Sequence, residues 1–426
     1  MQTVYVVDGV RSPFLKARDV QGPFSASDLA VKVGRQLLLK QPFEASDLDE
    51  VIIGNTMPSP DEANIGRIIA LRLGCGEKVP GWTVHRNCAS GLQALDSAYK
   101  DIQLGRADLV LAGGTDAMSR APVLYNKKMT NWLGRLMSAK TFGMRLSRIA
   151  KFRPNMLTPV IGLERGLTDP VVCQSMGQTA ENIAYRFNID RDAMDDFALA
   201  SHERSRNAFS EGRMNEITPI IDEKGKVYEK DDGVREADQL KKIGKLKPYF
   251  DKPFGTVTPG NSSQITDGAA LLLLASEKAV KKYGLKPKAK IVDSEWAALD
   301  PTQMGLGPVH AATPILQRQS LGLDDVDYVE INEAFAAQVL ACQAAWQDED
   351  YCVNELGLKH AMGTLSPDRL NVDGGAVAVG HPIGASGARI VLHLMQTLQQ
   401  KQAKRGLASI CIGGGQGGAW LIERVS

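Results

Sequence analysis

No apolar run in the 426-residue chain approaches the 18 residues that a membrane-crossing helix needs. The longest candidate, Ala269 to Ala275, is only strand-sized. Nothing basic or small-residue-rich precedes the strand pattern Val4-Tyr5-Val6-Val7, so neither a signal nor a transit peptide is expected. Net charge is nearly missing as well. Fifty basic and 49 acidic side chains leave +1, which gives no sign of a nucleic-acid binder. The six cysteines (75, 88, 173, 342, 352, 411) are scattered through a long chain. That argues against a disulfide framework and for reduced thiols in a cytoplasmic compartment. There is no Cys-x-x-Cys, and no two histidines lie three to five apart, so no metal site is expected. What remains, 43% apolar and 23% charged, is the composition of a globular protein with room for two or three domains.

Strand-like runs alternate with helical patterns. Val51 to Gly54, Trp82 to Val84 and Asp108 to Ala112 read as strands, the last closed by Gly113-Gly114. Ile65 to Leu73 and Ala89 to Leu104 read as helices. This predicts α/β layers with largely parallel, buried strands. The order recurs near the C-terminus. Asp327 to Ile331 is a strand running into Asn332-Glu333-Ala334-Phe335, and Gly384 opens a helix through Leu398. Leu407 to Ile412 is a strand closed by Gly413-Gly414-Gly415. The repeat of strand, small-residue loop, helix and strand suggests an internal duplication.

One segment breaks the pattern. Residues 125–168 carry nine Lys or Arg and one acid, Glu164, leaving 41 basic against 48 acidic elsewhere. The overall neutrality is therefore a cancellation between a basic insertion and an acidic body. Trp132, Leu133, Leu136, Met137, Phe142, Leu146 and Ile149 fall at helical spacing. The segment reads as an amphipathic helical insertion that covers a cleft, or as a surface for a partner or an anionic membrane. Residues 222–242, charged and turn-rich, read as a solvated excursion.

Four motifs carry chemistry. In Asn87-Cys88-Ala89-Ser90-Gly91, a cysteine stands between a strand and a helix, where the positive end of the helix dipole favours thiolate. Gly374 to Gly387 embeds His381 in a glycine-dense loop, which demands close backbone approach or unusual dihedrals. Cys411 closes a strand before the run Gly413 to Gly418. No Lys-Ser/Thr follows that run, as a phosphate-binding loop would require. Asn332 and Glu333 sit just past a strand end. Strand ends are where α/β sites assemble.

Together these blocks resemble the thiolase family over nearly the whole chain, from Val10-Arg11-Ser12-Pro13-Phe14 onward. Ser175 to Asn182, Thr258 to Ser263 with Asp267 to Ala270, and Gly305 to Pro308 resemble it too. The resemblance implies a layered αβαβα fold of two duplicated halves. Residues 1–120 with 170–275 would form the N-terminal half, 121–169 the helical loop insertion, and 276–426 the C-terminal half. It implies CoA-dependent thiolysis of 3-ketoacyl-CoA, or the reverse Claisen condensation. Cys88 would be the acyl-carrying nucleophile, His381 its proton acceptor, and Cys411 the acid/base at carbon. His381 and a water on Asn332 would stabilise one oxyanion, and the backbone N–H groups of Cys88 and Gly413 the other. Ser263 and Met176 would line the CoA and substrate tunnel. CoA would be a substrate, with no metal or redox cofactor.

The insertion, with Arg145 to Arg153, looks most like that of the β-subunit of the fatty-acid β-oxidation complex. This implies a homodimer or higher oligomer, with an α2β2 assembly on a hydratase/dehydrogenase α-subunit or peripheral membrane contact through 125–168. Two departures bear on substrate and site. Ser175 stands where short-chain members carry His, which implies a longer acyl chain. Asp373 stands where many members carry Asn. His310 reads as structural. The competing readings are a biosynthetic acetoacetyl-CoA thiolase, a decarboxylating ketoacyl synthase, against which Cys411 argues, and a non-enzymatic acyl-CoA binder.

Overall fold

The computed structural model describes residues 2–425. Nine strands build its core: β1 (Val4–Arg11), β2 (Glu50–Gly54), β3 (Gly81–Val84), β4 (Leu109–Ala117), β5 (Thr266–Ser276), β6 (Ala289–Ala298), β7 (Tyr328–Ile331), β8 (Arg405–Ile412) and β9 (Gln416–Arg424). Their order is β7-β8-β9-β6-β1-β5-β4-β2-β3, with the short strand Leu15–Lys16 added beside β5. The main helices are α1 (Ala26–Leu38), α2 (Ile65–Arg72), α3 (Ser90–Gln103), α4 (Lys127–Met137), α5 (Phe142–Ile149), α6 (Met176–Arg186), α7 (Arg191–Ser210), α8 (Gly307–Arg318), α9 (Ala336–Gln347) and α10 (Ile383–Gln400).

The side-chain period of two along each strand sorts the core into layers. Val110 and Ala112 of β4, Leu272 and Leu274 of β5, and Ile410 and Trp420 of β8 and β9 all pack on α3 and α10. Their neighbours Leu109, Leu111, Leu271 and Leu273 face the other way, onto α1 and α2. Leu407, Ala419 and Leu421 likewise face α8 and α9. Two sheet wings thus sandwich a central helix pair and are covered by helices outside. This is the expected αβαβα arrangement. In the strand ladder the wings join through Tyr5–Lys290 and Val6–Ala289.

The sheet is mixed rather than largely parallel. β2 runs parallel to β3 and β4, and β7 to β8, but the other pairings are antiparallel. Two connections cause this. The glycine turn 413–415, with Gly414 and Gly415 at φ 93° and 73°, closes a hairpin, so β9 must oppose β8. The chain also leaves β4 and re-enters β5 at one end, where Asp267 pairs with Ala117.

Nor do Gly113 and Gly114 close a strand, because β4 runs through them to Ala117. Their lack of a side chain serves packing. A Cβ on Gly114 would collide with the Gly384 carbonyl, one on Gly54 with the Ser90 backbone, and one on Gly91 would lie 2.7 Å from the Gly384 oxygen. These glycines let the first turns of α3 and α10 cross against the ends of β2 and β4. The turn holding Cys88 thereby lies beside the turn holding His381.

The insertion is helical, with α4 and α5 flanked by a small ladder between Val123–Tyr125 and Pro159–Ile161. Trp132 stacks edge-on against Phe152 and donates to the Arg148 carbonyl at 2.8 Å. Much of its apolar stripe faces outward: Met137 is 83% exposed and Phe142 81%. Residues 222–242 are not wholly solvated. Asp231 is buried and pairs with both terminal nitrogens of Arg11 at 2.7 and 2.8 Å. No helix among the described residues is long and apolar enough to cross a membrane.

Candidate active site

The Cys88 turn is fixed locally. Asn87 adopts a left-handed φ of 43°. The Ser90 hydroxyl accepts from the Arg86 N–H at 2.8 Å and donates to the Asn87 carbonyl at 2.7 Å. No side chain caps α3, so its first N–H groups stay directed at the turn. Asn87 reaches across the molecule and donates to the Gly413 carbonyl at 2.8 Å. The Gly413 N–H faces the Cys88 sulfur, as does the N–H of Cys88 itself. The thiol is nevertheless pushed up from its ordinary value. Burial is the largest cause, and the nearby Asp116 charge adds to it. The sequence pointed to a helix-favoured thiolate, but in the fold desolvation outweighs the backbone donors.

His381 supplies the missing base. Its Nδ1 lies 2.6 Å from the Ser386 hydroxyl, whose own proton points to the Pro382 carbonyl at 3.1 Å. Ser386 therefore accepts, Nδ1 carries the hydrogen, and Nε2 is left with a bare lone pair. Nε2 is buried with no hydrogen-bond partner among the described residues. Burial, helped by the Arg389 charge, lowers the imidazole to about 3, so it is neutral near pH 7.

Cys411 is fully buried at the end of β8, among Met176, Ala334, Phe335 and Leu167. Burial raises its thiol well above the ordinary range, and proximity to Cys88 adds to the shift. The two cysteines thus face one site from opposite wings. Asn332 is also fully buried, and neither its Nδ2 nor its Oδ1 has a partner among the described residues. Buried amides are ordinarily satisfied, so this one is aimed at something the fold itself does not provide.

Supporting residues hold these four. Glu333 accepts from Ser201 at 2.7 Å, Asn371 at 2.9 Å and the Val377 N–H at 3.1 Å, which pins the glycine loop ahead of His381. Ser263 donates its N–H to the Ala334 carbonyl at 2.9 Å, and the next carbonyl, Gln264, accepts from the His381 N–H at 2.9 Å. Met176 opens α6 with its sulfur against Gly413. The fold therefore gathers Cys88, His381, Cys411, Asn332, Gly413, Ser263 and Met176 around one locus.

The family model for the thiolase N-terminal domain matches residues 4–278, and that for the C-terminal domain matches 285–424. The chain belongs to the thiolase family. It is 35% identical over 424 residues to the mitochondrial trifunctional enzyme subunit beta of Bos taurus, covering 99% of this chain and 88% of that one. It is 38% identical over 434 residues to the beta-ketoadipyl-CoA thiolase of Acinetobacter baylyi, with both chains fully covered. The crystal structure of human mitochondrial 3-ketoacyl-CoA thiolase superposes with a TM-score of 0.84 at 34% identity, covering all of this chain and 99% of that one. The chain is thus a thiolase-family acyltransferase.

In this thiolase Ser175 has a local duty. It caps α6, accepting from the Gln178 N–H at 3.3 Å. Asp373 is ion-paired with Arg213 and lies 3.4 Å from His393 Nε2. His310 bonds the Tyr351 hydroxyl at 2.8 Å, away from the site, as a structural histidine does. Sequence reading gave no role to Asp116 or Ser386. Ser386 stood in the glycine loop, where its spacing of five from His381 was the available signal.

The thiolase holds a second buried neutral imidazole, His202, also lowered to about 3 by burial and then by the Arg235 charge. In the unfolded chain it takes a proton near 6.5, but in the fold not until near 3. Between those values the unfolded state holds more protons, so stability falls as pH falls. From pH 7 to pH 5 this costs about 2 kcal/mol. His202→Asn should lose that much less stability than the wild type over the same step, as read by urea unfolding at both pH values. Equal losses would contradict the shift.

Proposed function

We propose that this thiolase cleaves 3-ketoacyl-CoA with CoA, giving acetyl-CoA and an acyl-CoA two carbons shorter, in fatty-acid β-oxidation. One observation carries the reading. A half-buried and a fully buried cysteine from opposite wings face one site, and beside it stands a neutral histidine whose Nε2 is bare. Thioester chemistry on one cysteine and proton transfer at carbon on the other need that pair.

The steps balance. Nε2 of His381 takes the Cys88 proton as the sulfur attacks the C3 carbonyl. The C2–C3 bond breaks, its electrons pass to C2, and the Cys411 S–H protonates that carbon, releasing acetyl-CoA. Incoming CoA gives its thiol proton to the Cys411 thiolate and attacks acyl-Cys88. The Cys88 sulfur leaves and recovers its proton from His381. The amides of Cys88 and Gly413 serve the oxyanion at the acylated carbonyl, and Asn332 with His381 serves the enolate oxygen. Removing one such donor raises the barrier by about 2.7–4 kcal/mol. CoA is a substrate, and no step asks for a metal or redox cofactor.

The apolar surround of Cys411 (Met176, Phe335, Leu167, Phe250) supports an aliphatic acyl chain. The partner we propose is a hydratase/dehydrogenase α-subunit, since the bovine relative is named as a beta subunit and the outward face of α4 and α5 is apolar and basic. Thiolysis rates across C4 to C16 3-ketoacyl-CoAs and 3-ketoadipyl-CoA test the substrate. Rates should rise beyond C4. Activity confined to C4 would make it a biosynthetic acetoacetyl-CoA thiolase, and preference for 3-ketoadipyl-CoA would overturn the β-oxidation reading.

A further inference from the structure

Helix α10 begins immediately after His381-Pro382, and its capping position provides no side-chain cap. The capping position is Pro382, which has no polar side chain. A helix start leaves four N–H groups without intrahelical partners, and a buried one cannot turn to solvent. Here the acceptor comes from a different strand. Oδ2 of Asp116, on β4, accepts from the Gly384 N–H at 2.5 Å. The carboxylate is fully buried and serves a second segment at once. It accepts from Asn55 Nδ2 at 2.7 Å, the Thr56 N–H at 2.9 Å, the Thr56 hydroxyl at 2.5 Å and the Met57 N–H at 3.1 Å. Every partner donates, which is the environment of an ionised carboxylate. Burial pushes its pKa up, and these hydrogen bonds draw it back.

The same first turn holds the imidazole. Ser386 lies two residues beyond Gly384 and takes the hydrogen of His381 Nδ1. A line of contacts therefore runs from the loop after β2 through Asp116 to the Gly384 N–H, along one helical turn to Ser386, and on to His381. Asp116 hydrogen-bonds neither His381 nor Cys88, and only its charge reaches the Cys88 sulfur.

We propose that Asp116 is a positioning residue: it caps α10 from another strand and so sets where Nε2 of His381 stands relative to Cys88. The proposal rests on the thiolysis reading above. Its physical basis is that catalysis depends steeply on placement, and a shift of about 1 Å costs on the order of 100-fold. An asparagine at 116 keeps the shape but offers an amide N–H to a partner that also donates, which repels the turn it should hold.

The experiment is Asp116→Asn with active sites counted by the end-point stoichiometry of Cys88 labelling with acetyl from acetyl-CoA, which needs the folded site, so that kcat is expressed per folded site. The expected result is kcat per site lower by about 100-fold with KM for 3-ketoacyl-CoA nearly unchanged, and slower acetylation of Cys88 by acetyl-CoA. A merely structural role would lower the number of labelled sites and leave kcat per site alone. If Asp116→Asn does not fold, Thr56→Val removes only one donor from the carboxylate and should lower kcat per site by about tenfold. Unchanged kcat per site in a folded variant, or faster Cys88 acetylation, overturns the proposal while leaving the thiolysis reading intact. An inactive wild type would overturn that reading instead.

Discussion

Cys88→Ala is expected to lower thiolysis by a factor on the order of 10⁴ or more, the scale seen when a covalent nucleophile is removed. The size follows from the site. Without the sulfur no acyl-enzyme forms, and the remaining route has free CoA attacking the C3 carbonyl with no preorganised neighbour. The alanine methyl group fits where the sulfur stood and disturbs neither the Ser90 hydroxyl nor the Asn87–Gly413 bridge that shape the turn. Stability should therefore stay near wild type, which makes the loss chemical. Cys88→Ser should be nearly as inactive. A hydroxyl is far less acidic than a thiol, so the neutral imidazole of His381 that takes the thiol proton cannot take this one as readily. Steady-state thiolysis measures the loss. Intact-mass analysis after incubation with acetyl-CoA should show an acetyl adduct on the wild type and none on either variant. An alanine variant with a tenth of wild-type activity would remove Cys88 from the mechanism.

How much of this could be read before the fold was known depended on the distance over which each feature is decided. The boundaries around Cys88 and His381 were legible because strand runs, helical spacing and glycine are local. The layering was legible because it repeats. Strand direction was not: β5 opposes β4 because the chain returns to one end after residues 118–265, and no window of sequence records that. Gly113-Gly114 looked like punctuation, yet the reason for glycine lies in the Gly384 carbonyl 270 positions away. The rise in the Cys88 pKa was hidden likewise, since dipole position is local but burial is not. Asp116 is one acid among 49, and its five donors come from residues 55–57 and 384, so spacing gave no sign of it. Asp231, in a stretch that looked solvated, is buried because Arg11 meets it there.

Cys411→Ala should separate the two halves of the reaction. Its sulfur lies in the apolar cluster and takes no part in holding Cys88 or His381, so acetyl transfer from acetyl-CoA to Cys88 should lose only the proton that Cys411 gives the departing CoA sulfur, which already leaves readily as a thiolate, and should fall far less than cleavage. Carbon–carbon cleavage should fall by about 10²–10⁴-fold, the usual contribution of a placed general acid. The same variant should lose exchange of the acetyl-CoA methyl hydrogens with deuterated solvent, because that exchange needs a base at the carbon rather than at the thioester. Burial keeps Cys411 protonated in the resting site, which suits a group that must give a proton to the departing C2. Cys411→Ser keeps a proton to give but binds it too tightly for a carbanion-like partner to draw on efficiently, so it should fall between alanine and wild type. Adduct mass, thiolysis rate and deuterium content can be measured on one preparation. Retention of full cleavage by the alanine variant would assign the carbon proton to another group. Loss of acetyl transfer along with cleavage would mean that Cys411 shapes the Cys88 side of the site instead of acting at carbon.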